Sequence, residues 1–192
     1  MVPASFDSFF SASASSGAAL AGLLFLAVTI GPIPTVGRRA PVERRAVATS
    51  AFIALINAFL LSLGALIPDA SLGPVALGVG LVSLVATVRL GRELAQGRRG
   101  LAALARRLVL LAASAVLYVS ESWQAAQLLM RPDDPVPVEV LASVLMPMYA
   151  IGILRAWELV GAERHGFLAR FSPLRDLDQV APQTDAIDQR PA

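Results

Sequence analysis

Residues Phe9 to Ile30 read FFSASASSGAALAGLLFLAVTI, an apolar and small-residue run that contains no charged side chain. A helix crosses the hydrocarbon core of a bilayer in about 20 residues, at about 1.5 Å each, so this run is long enough to span it. The first half of the run consists of small residues and the second half is bulky and aliphatic. We therefore predict a transmembrane helix here, and we expect it to lie at or near the core of a helical bundle.

Three small residues recur at a spacing of four within this run, namely Ala14, Ala18 and Gly22. Small residues at this spacing let the backbones of neighbouring transmembrane helices approach closely. The pattern predicts that these residues form the contact face of the first helix. Leucine in place of Ala18 or Gly22 should then disrupt the bundle.

Four further apolar runs of about spanning length follow, which predicts an all-α integral membrane bundle of five transmembrane helices within residues 1–161. The predicted spans are about 9–30, 46–67, 74–90, 108–130 and 136–156, and residues 162–192 are expected to form a cytoplasmic juxtamembrane segment and a disordered tail. Composition agrees with this prediction, because 56% of the 192 residues are hydrophobic and the mean hydropathy is +0.66. Soluble globular chains are about 45–50% apolar.

The sixteen basic residues are all arginine, and they concentrate in alternate connections between the predicted spans. The positive-inside rule then places the amino terminus outside and the carboxyl terminus in the cytoplasm. We expect these side chains to contact anionic lipid headgroups and no nucleic acid, because no aromatic residues are interleaved with them. The arginines that carry this prediction are Arg38, Arg39, Arg44, Arg45, Arg98, Arg99, Arg106 and Arg107.

Glu121 lies past the midpoint of the fourth predicted span, within YVSESWQAAQ. An ionised carboxylate facing lipid at this depth costs roughly 2.5–3.5 kcal/mol, so it should face protein or water, or be protonated. Ser114, Tyr118 and Gln124 fall near the same side of the helix. Two interpretations stay open: the stripe belongs to an ion path or buried ligand site, or Glu121 reaches a vestibule at the outer interface.

Asn57 lies near the centre of the second predicted span, where an amide usually forms a hydrogen bond with a neighbouring helix. The alternative is that Asn57 lines an ion path together with Glu121. Ser83 and Thr87 are interpreted as packing residues whose hydroxyls bond their own backbone.

The residue content is poor in catalytic and metal-binding groups, since there is no cysteine and there is one histidine. We predict no cofactor, no metal and no enzymatic activity.

Arg155 and Glu158 are spaced to pair on one helix face near the cytoplasmic interface. We interpret them as an exposed ion pair, with a gate at the inner mouth as the alternative.

The opening run, followed by an arginine-bearing connection and AFIALINAFLLSLGALIP at residues 51–68, is similar to a family of small multi-pass membrane proteins. These proteins occur in actinobacteria-like bacterial genomes, and some are described as modulators of the FtsH membrane protease. The resemblance covers the first two predicted spans. It implies a location in the bacterial cytoplasmic (inner) membrane and an accessory role at a membrane protease, and it assigns no functional residue.

Two hypotheses of function follow from the sequence. The first is a non-enzymatic accessory or scaffold protein that regulates a membrane-protein partner or forms a homo-oligomer. The second is a channel or transporter subunit for a small ion whose path passes Glu121 and Asn57. A water-accessible cavity shared by these two residues would favour the second hypothesis.

Overall fold

The computed structural model describes residues 2–30, 42–68, 71–95 and 101–159. Within these ranges the chain forms a short 3-10 turn and five α-helices, and it forms no strand. The helices are α1 (Asp7–Ile30), α2 (Val42–Ala65), α3 (Leu72–Ala95), α4 (Leu101–Met130) and α5 (Val136–Leu159). The predicted tail at 162–192 lies outside the described residues.

All five helices are long and apolar enough to cross a membrane. Their outward faces carry large aliphatic side chains, with exposed fractions of 72% at Ile30, 71% at Val82 and 69% at Met146. A soluble protein rarely presents apolar surface over so many neighbouring residues, so these faces indicate a membrane protein. The prediction of an all-α bundle with five helices of spanning length is confirmed, and α3 extends beyond the predicted 74–90 at both ends.

Helix α2 lies at the centre of the bundle, where it packs against α1, α3 and α5. In its most apolar stretch 61% of the residues are buried, whereas the corresponding share for α1 is 22%. Helix α1 packs chiefly on α2 and touches α5 less extensively. The prediction that the first helix lies at or near the core is therefore wrong: α1 lies at the edge of the bundle, and its small residues do not by themselves draw neighbours to every side.

The contact face of α1 differs from the predicted ladder of small residues. Of the three predicted residues, Ala14 is buried, whereas Ala18 and Gly22 are exposed. A Cβ atom added to Gly22 would meet no atom within 4 Å. The predicted contact face is thus wrong for Ala18 and Gly22. The face of α1 that meets α2 and α5 consists of the buried residues Phe10, Ser13, Ala14, Gly17 and Leu24.

The closest approach of α1 to its neighbours occurs at Gly17. A Cβ atom there would lie 2.8 Å from the hydroxyl of Tyr149 and 3.0 Å from the Cβ of Phe59. The adjacent Ser13 hydroxyl lies 2.7 Å from the Ser62 hydroxyl and 3.0 Å from the Tyr149 hydroxyl. Tyr149 also donates to the backbone carbonyl of Ser13. These contacts join α1 to α2 and α5 through hydrogen bonds where small side chains leave no space between the helices.

Three groups of buried apolar residues show that successive helices run in opposite directions. The largest combines the starts of α1, α3 and α5 with the ends of α2 and α4, including Phe10, Leu72, Leu61 and Leu128. The other two groups lie toward the opposite ends of these helices. The connection between Ala65 and Leu72 fits this up-and-down arrangement, because two helices joined by a short connection pack side by side in opposite directions.

The predicted topology arginines lie mostly outside the described part of the chain. Arg44 at the start of α2 is partly exposed, and Arg45 is exposed. Arg38, Arg39, Arg98 and Arg99 lie outside the described residues, and the side chains of Arg106 and Arg107 are likewise not described. The contact of these arginines with anionic lipid therefore stays a prediction.

Candidate buried polar site

Asn57 is the centre of a polar site enclosed by α2, α3 and α4. Its side chain is 1% exposed. The amide nitrogen donates one hydrogen bond to the Ser83 hydroxyl and another to Glu121 Oε2, both 2.9 Å long. A single amide therefore joins three helices, as expected of a polar residue placed deep among apolar ones.

Glu121 contributes the charge-bearing group of the site, and its side chain is completely buried. The residue lies on α4 nine positions before Met130, which places it about 13 Å from that end of the helix at about 1.5 Å per residue. Of the two interpretations left open for Glu121, the structure disagrees with the one in which the side chain reaches a vestibule, because the carboxyl group packs against the Asn57 amide inside the bundle.

Gly80 on α3 makes this arrangement sterically feasible. A Cβ atom at Gly80 would lie 2.7 Å from the Ser122 hydroxyl and 3.2 Å from the carboxyl carbon of Glu121. The missing side chain lets α3 lie directly over the carboxyl group. The Ser122 hydroxyl donates to the Tyr118 carbonyl at 2.8 Å.

Ser83 belongs to the polar site, whereas it was predicted to be a packing residue like Thr87. Both residues are buried, and Ser83 accepts a hydrogen bond from Asn57. Its spacing of three from Gly80 places both on one side of α3, facing α2 and α4. A glycine one turn from a serine in a transmembrane helix is the signal that could have identified this residue.

The other predicted members of the stripe are only in part near Glu121. Tyr118 is buried one turn earlier on α4 and belongs to the largest apolar group. The Ser114 hydroxyl donates to the backbone carbonyl of Leu110 at 2.9 Å. Gln124 is half-buried. The structure thus brings Glu121 into direct contact with Asn57, a residue of another helix, and distributes the rest of the stripe along α4.

Two oxygen atoms of the site lack a hydrogen-bond donor, Asn57 Oδ1 and Glu121 Oε1. Both atoms are inaccessible to solvent. A buried acceptor without a donor costs about 1–3 kcal/mol in a neutral group and more in a charged one. Such atoms are uncommon in native proteins, and they point to a bound species or a proton that completes the site.

A groove of about 280 Å³ runs between α2 and α3 on the side of Asn57 that faces out of the bundle. Its walls are aliphatic, and Asn57 and Ser83 supply its polar atoms. Glu121 does not line this groove. The groove is formed by Ile53, Ile56, Asn57, Leu60, Gly78, Val79, Val82, Ser83 and Ala86.

Arg155 and Glu158 form an ion pair of 3.3 Å near the end of α5. The expectation of an exposed pair is wrong, because the Arg155 side chain is 3% exposed and that of Glu158 is 13% exposed. The pair lies on the side of α5 that faces the bundle, which its spacing in the sequence could not show.

Among the residues that the structure describes, no group of three or more histidine, cysteine, aspartate or glutamate side chains is arranged to hold a metal ion.

No family model, curated protein or solved structure matches this chain. The resemblance to small bacterial multi-pass membrane proteins therefore stays a prediction.

Proposed function

We propose that this chain is a multi-pass protein of the bacterial cytoplasmic membrane that acts as a non-enzymatic accessory or scaffold subunit for a membrane-protein partner. The observation that supports this proposal is the closure of the polar site. Asn57 and Glu121 are almost completely buried, and their hydrogen bonds hold three helices together. A site closed in this way stabilises a fixed bundle, and a scaffold needs a fixed bundle to present its outer surface to a partner.

The orientation that goes with this function places the amino terminus outside and the carboxyl terminus in the cytoplasm. The support is the alternation of arginine-rich and arginine-poor connections along the sequence. In this orientation the polar site lies in the outer half of the membrane. The arginine-rich connections and the carboxyl-terminal segment then face the cytoplasm, where a partner such as a membrane protease would be contacted.

Photo-crosslinking in the native membrane tests the accessory function. A crosslinking amino acid is placed at Val82 on α3 or at Phe25 on α1, whose side chains are 71% and 61% exposed. We expect one of these faces to yield a reproducible adduct of defined mass, identified by mass spectrometry, and the other to yield lipid adducts alone. Lipid adducts alone at both positions, together with a monomeric mass in mild detergent, would contradict the proposal.

A channel or transporter subunit is the second candidate function, and the two oxygens without donors favour it. A carboxylate and an amide oxygen in mid-bundle are the groups expected along the path of a small cation. Flux of protons, alkali cations and halides into proteoliposomes is the test. Flux that the parent shows and Glu121→Gln loses would favour this candidate. Glu139→Gln is the matched control, because Glu139 is exposed in the first turn of α5.

A further inference from the structure

The polar site between α2, α3 and α4 contains two buried oxygen atoms without a hydrogen-bond donor, Glu121 Oε1 and Asn57 Oδ1. We propose that it binds one monovalent alkali cation, coordinated by Glu121 Oε1 and Asn57 Oδ1, with Ser83 Oγ beside them. This proposal does not depend on transport or on a partner, because a cation bound at this place would stabilise the bundle in either case.

The first argument is electrostatic. A fully buried carboxyl group stays ionised only when it is paired with a cation or coordinates a metal ion, and otherwise it holds a proton. The hydrogen bond that Glu121 receives comes from a neutral amide. Within the described ranges the arginine that forms an ion pair is Arg155, and its partner is Glu158. A bound cation would supply the positive charge that this carboxylate lacks.

The second argument is the orientation of the Asn57 amide. Its nitrogen donates to both Ser83 and Glu121, so exchanging the nitrogen and oxygen positions would set an amide oxygen against a carboxylate oxygen. The unexchanged orientation leaves Oδ1 as a free acceptor. Since the amide and carboxyl groups share a 2.9 Å hydrogen bond, the two unsatisfied oxygens belong to adjoining groups. With bond lengths of about 1.2–1.3 Å within those groups, the oxygens are at most about 7 Å apart, and a cation that coordinates both would hold them within about 5 Å of each other.

The ligand types select the class of cation. Carboxylate, amide and hydroxyl oxygens are hard donors, which favour hard cations over transition metals. The site has one carboxylate, so a monovalent ion gives a neutral buried complex, whereas a divalent ion would leave a net positive charge in the bundle. The Ser83 hydroxyl accepts one hydrogen bond and keeps a second lone pair for a ligand.

The surroundings determine how the cation would exchange with solvent. Gly80 covers the Glu121 carboxyl group closely, and the groove beside Asn57 has aliphatic walls. A hydrated ion is poorly accommodated in such a groove, so the cation must be bound without most of its water. We therefore expect binding and release to require separation of α2 from α3, and to be slow on the timescale of mixing.

Thermal unfolding in mild detergent tests the proposal after long equilibration in LiCl, NaCl, KCl or choline chloride of equal ionic strength. At least one alkali cation should raise the Tm of the parent above its value in choline chloride. The increase should be about 5–10 °C at a concentration of a hundred times Kd. Equilibrium dialysis with radioactive ²²Na⁺ should show one site per chain if sodium is the ion.

Glu121→Gln should abolish the difference between salts, because it removes the charge and preserves the shape of the side chain. Glu139→Gln should retain the difference between salts, because Glu139 is exposed and lies on α5, which supplies no residue to the polar site. Equal Tm values for the parent in all four salts would overturn the proposal, and so would an equal salt effect in Glu121→Gln. The comparison of salts on the parent decides the question even if Glu121→Gln fails to fold.

Discussion

Gly17→Ala should destabilise the bundle, although alanine is the better helix former. The added Cβ would lie 2.8 Å from the Tyr149 hydroxyl, 3.0 Å from the Phe59 Cβ and 3.2 Å from the Phe59 Cα. The Phe59 atoms belong to or adjoin the backbone of α2, so they cannot rotate away. Either the Tyr149 hydroxyl moves and weakens its hydrogen bonds to Ser13, or α1 shifts outward from α2.

The magnitude of the effect follows from opposing contributions. Overpacking of a close contact costs about 1–3 kcal/mol. A weakened hydrogen bond adds about 0.5–1.5 kcal/mol, and the higher helix propensity of alanine returns about 0.5–1 kcal/mol. We expect a net loss of about 0.5–4 kcal/mol in the free energy of unfolding. For a chain of this size that corresponds to a decrease in Tm of about 1–16 °C.

The assay is thermal unfolding in mild detergent, with Gly22→Ala as the matched control on the same helix. No atom lies within 4 Å of a Cβ at Gly22, so this variant should equal or slightly exceed the parent in Tm. A Tm of Gly17→Ala at or above that of Gly22→Ala would refute the close approach of α1 to α2 and α5. A decrease in Tm for Gly22→Ala and none for Gly17→Ala would instead support the contact face predicted from the spacing of Ala14, Ala18 and Gly22.

Two further predictions concern topology and the polar site. Reporters fused after Arg99 should give a cytoplasmic signal and reporters within Ser71–Gly73 an external one, and a cytoplasmic signal from the latter would overturn the proposed orientation. Asn57→Leu should lower the free energy of unfolding by about 1–3 kcal/mol, measured by thermal or denaturant unfolding, because it leaves Glu121 without its amide donor. Gln124→Leu, which changes a half-buried side chain on α4, should cost less than about 0.5 kcal/mol, and equal losses in the two variants would contradict a special role for Asn57.

The helices could be predicted from sequence because they depend on local composition. Apolar runs such as Phe9–Ile30 and the breaks between them reveal where the helices lie, since a bilayer sets a minimum length for each span. The side of each helix that meets its neighbours is harder to predict. Nearly every side of α1 is apolar or small, so the spacing of Ala14, Ala18 and Gly22 did not distinguish a contact face from an outward face.

Two residues of the polar site could be predicted from the sequence, but their contact could not. Asn57 and Glu121 stand out because amide and carboxyl groups are rare in transmembrane segments. Their contact joins residues 64 positions apart, and no local pattern specifies such a pairing. The role of Ser83 was missed because serine in a helix commonly bonds its own backbone, and the hydrogen bond from Asn57 depends on how α3 packs against α2.

The central place of Asn57 has a consequence for the order in which the bundle is assembled. At synthesis rates of about 5–20 residues per second, Glu121 follows Asn57 by roughly 3–13 s. Ser83 is only 26 residues away and is made before Glu121, so its hydroxyl can accept the hydrogen bond of the amide before the carboxyl group is present. Newly inserted α2 and α3 can therefore associate as a pair before α4 is made. The carboxyl group of Glu121 is then added to an existing pair, and α5, which is made after α4, packs last against α2 and α4.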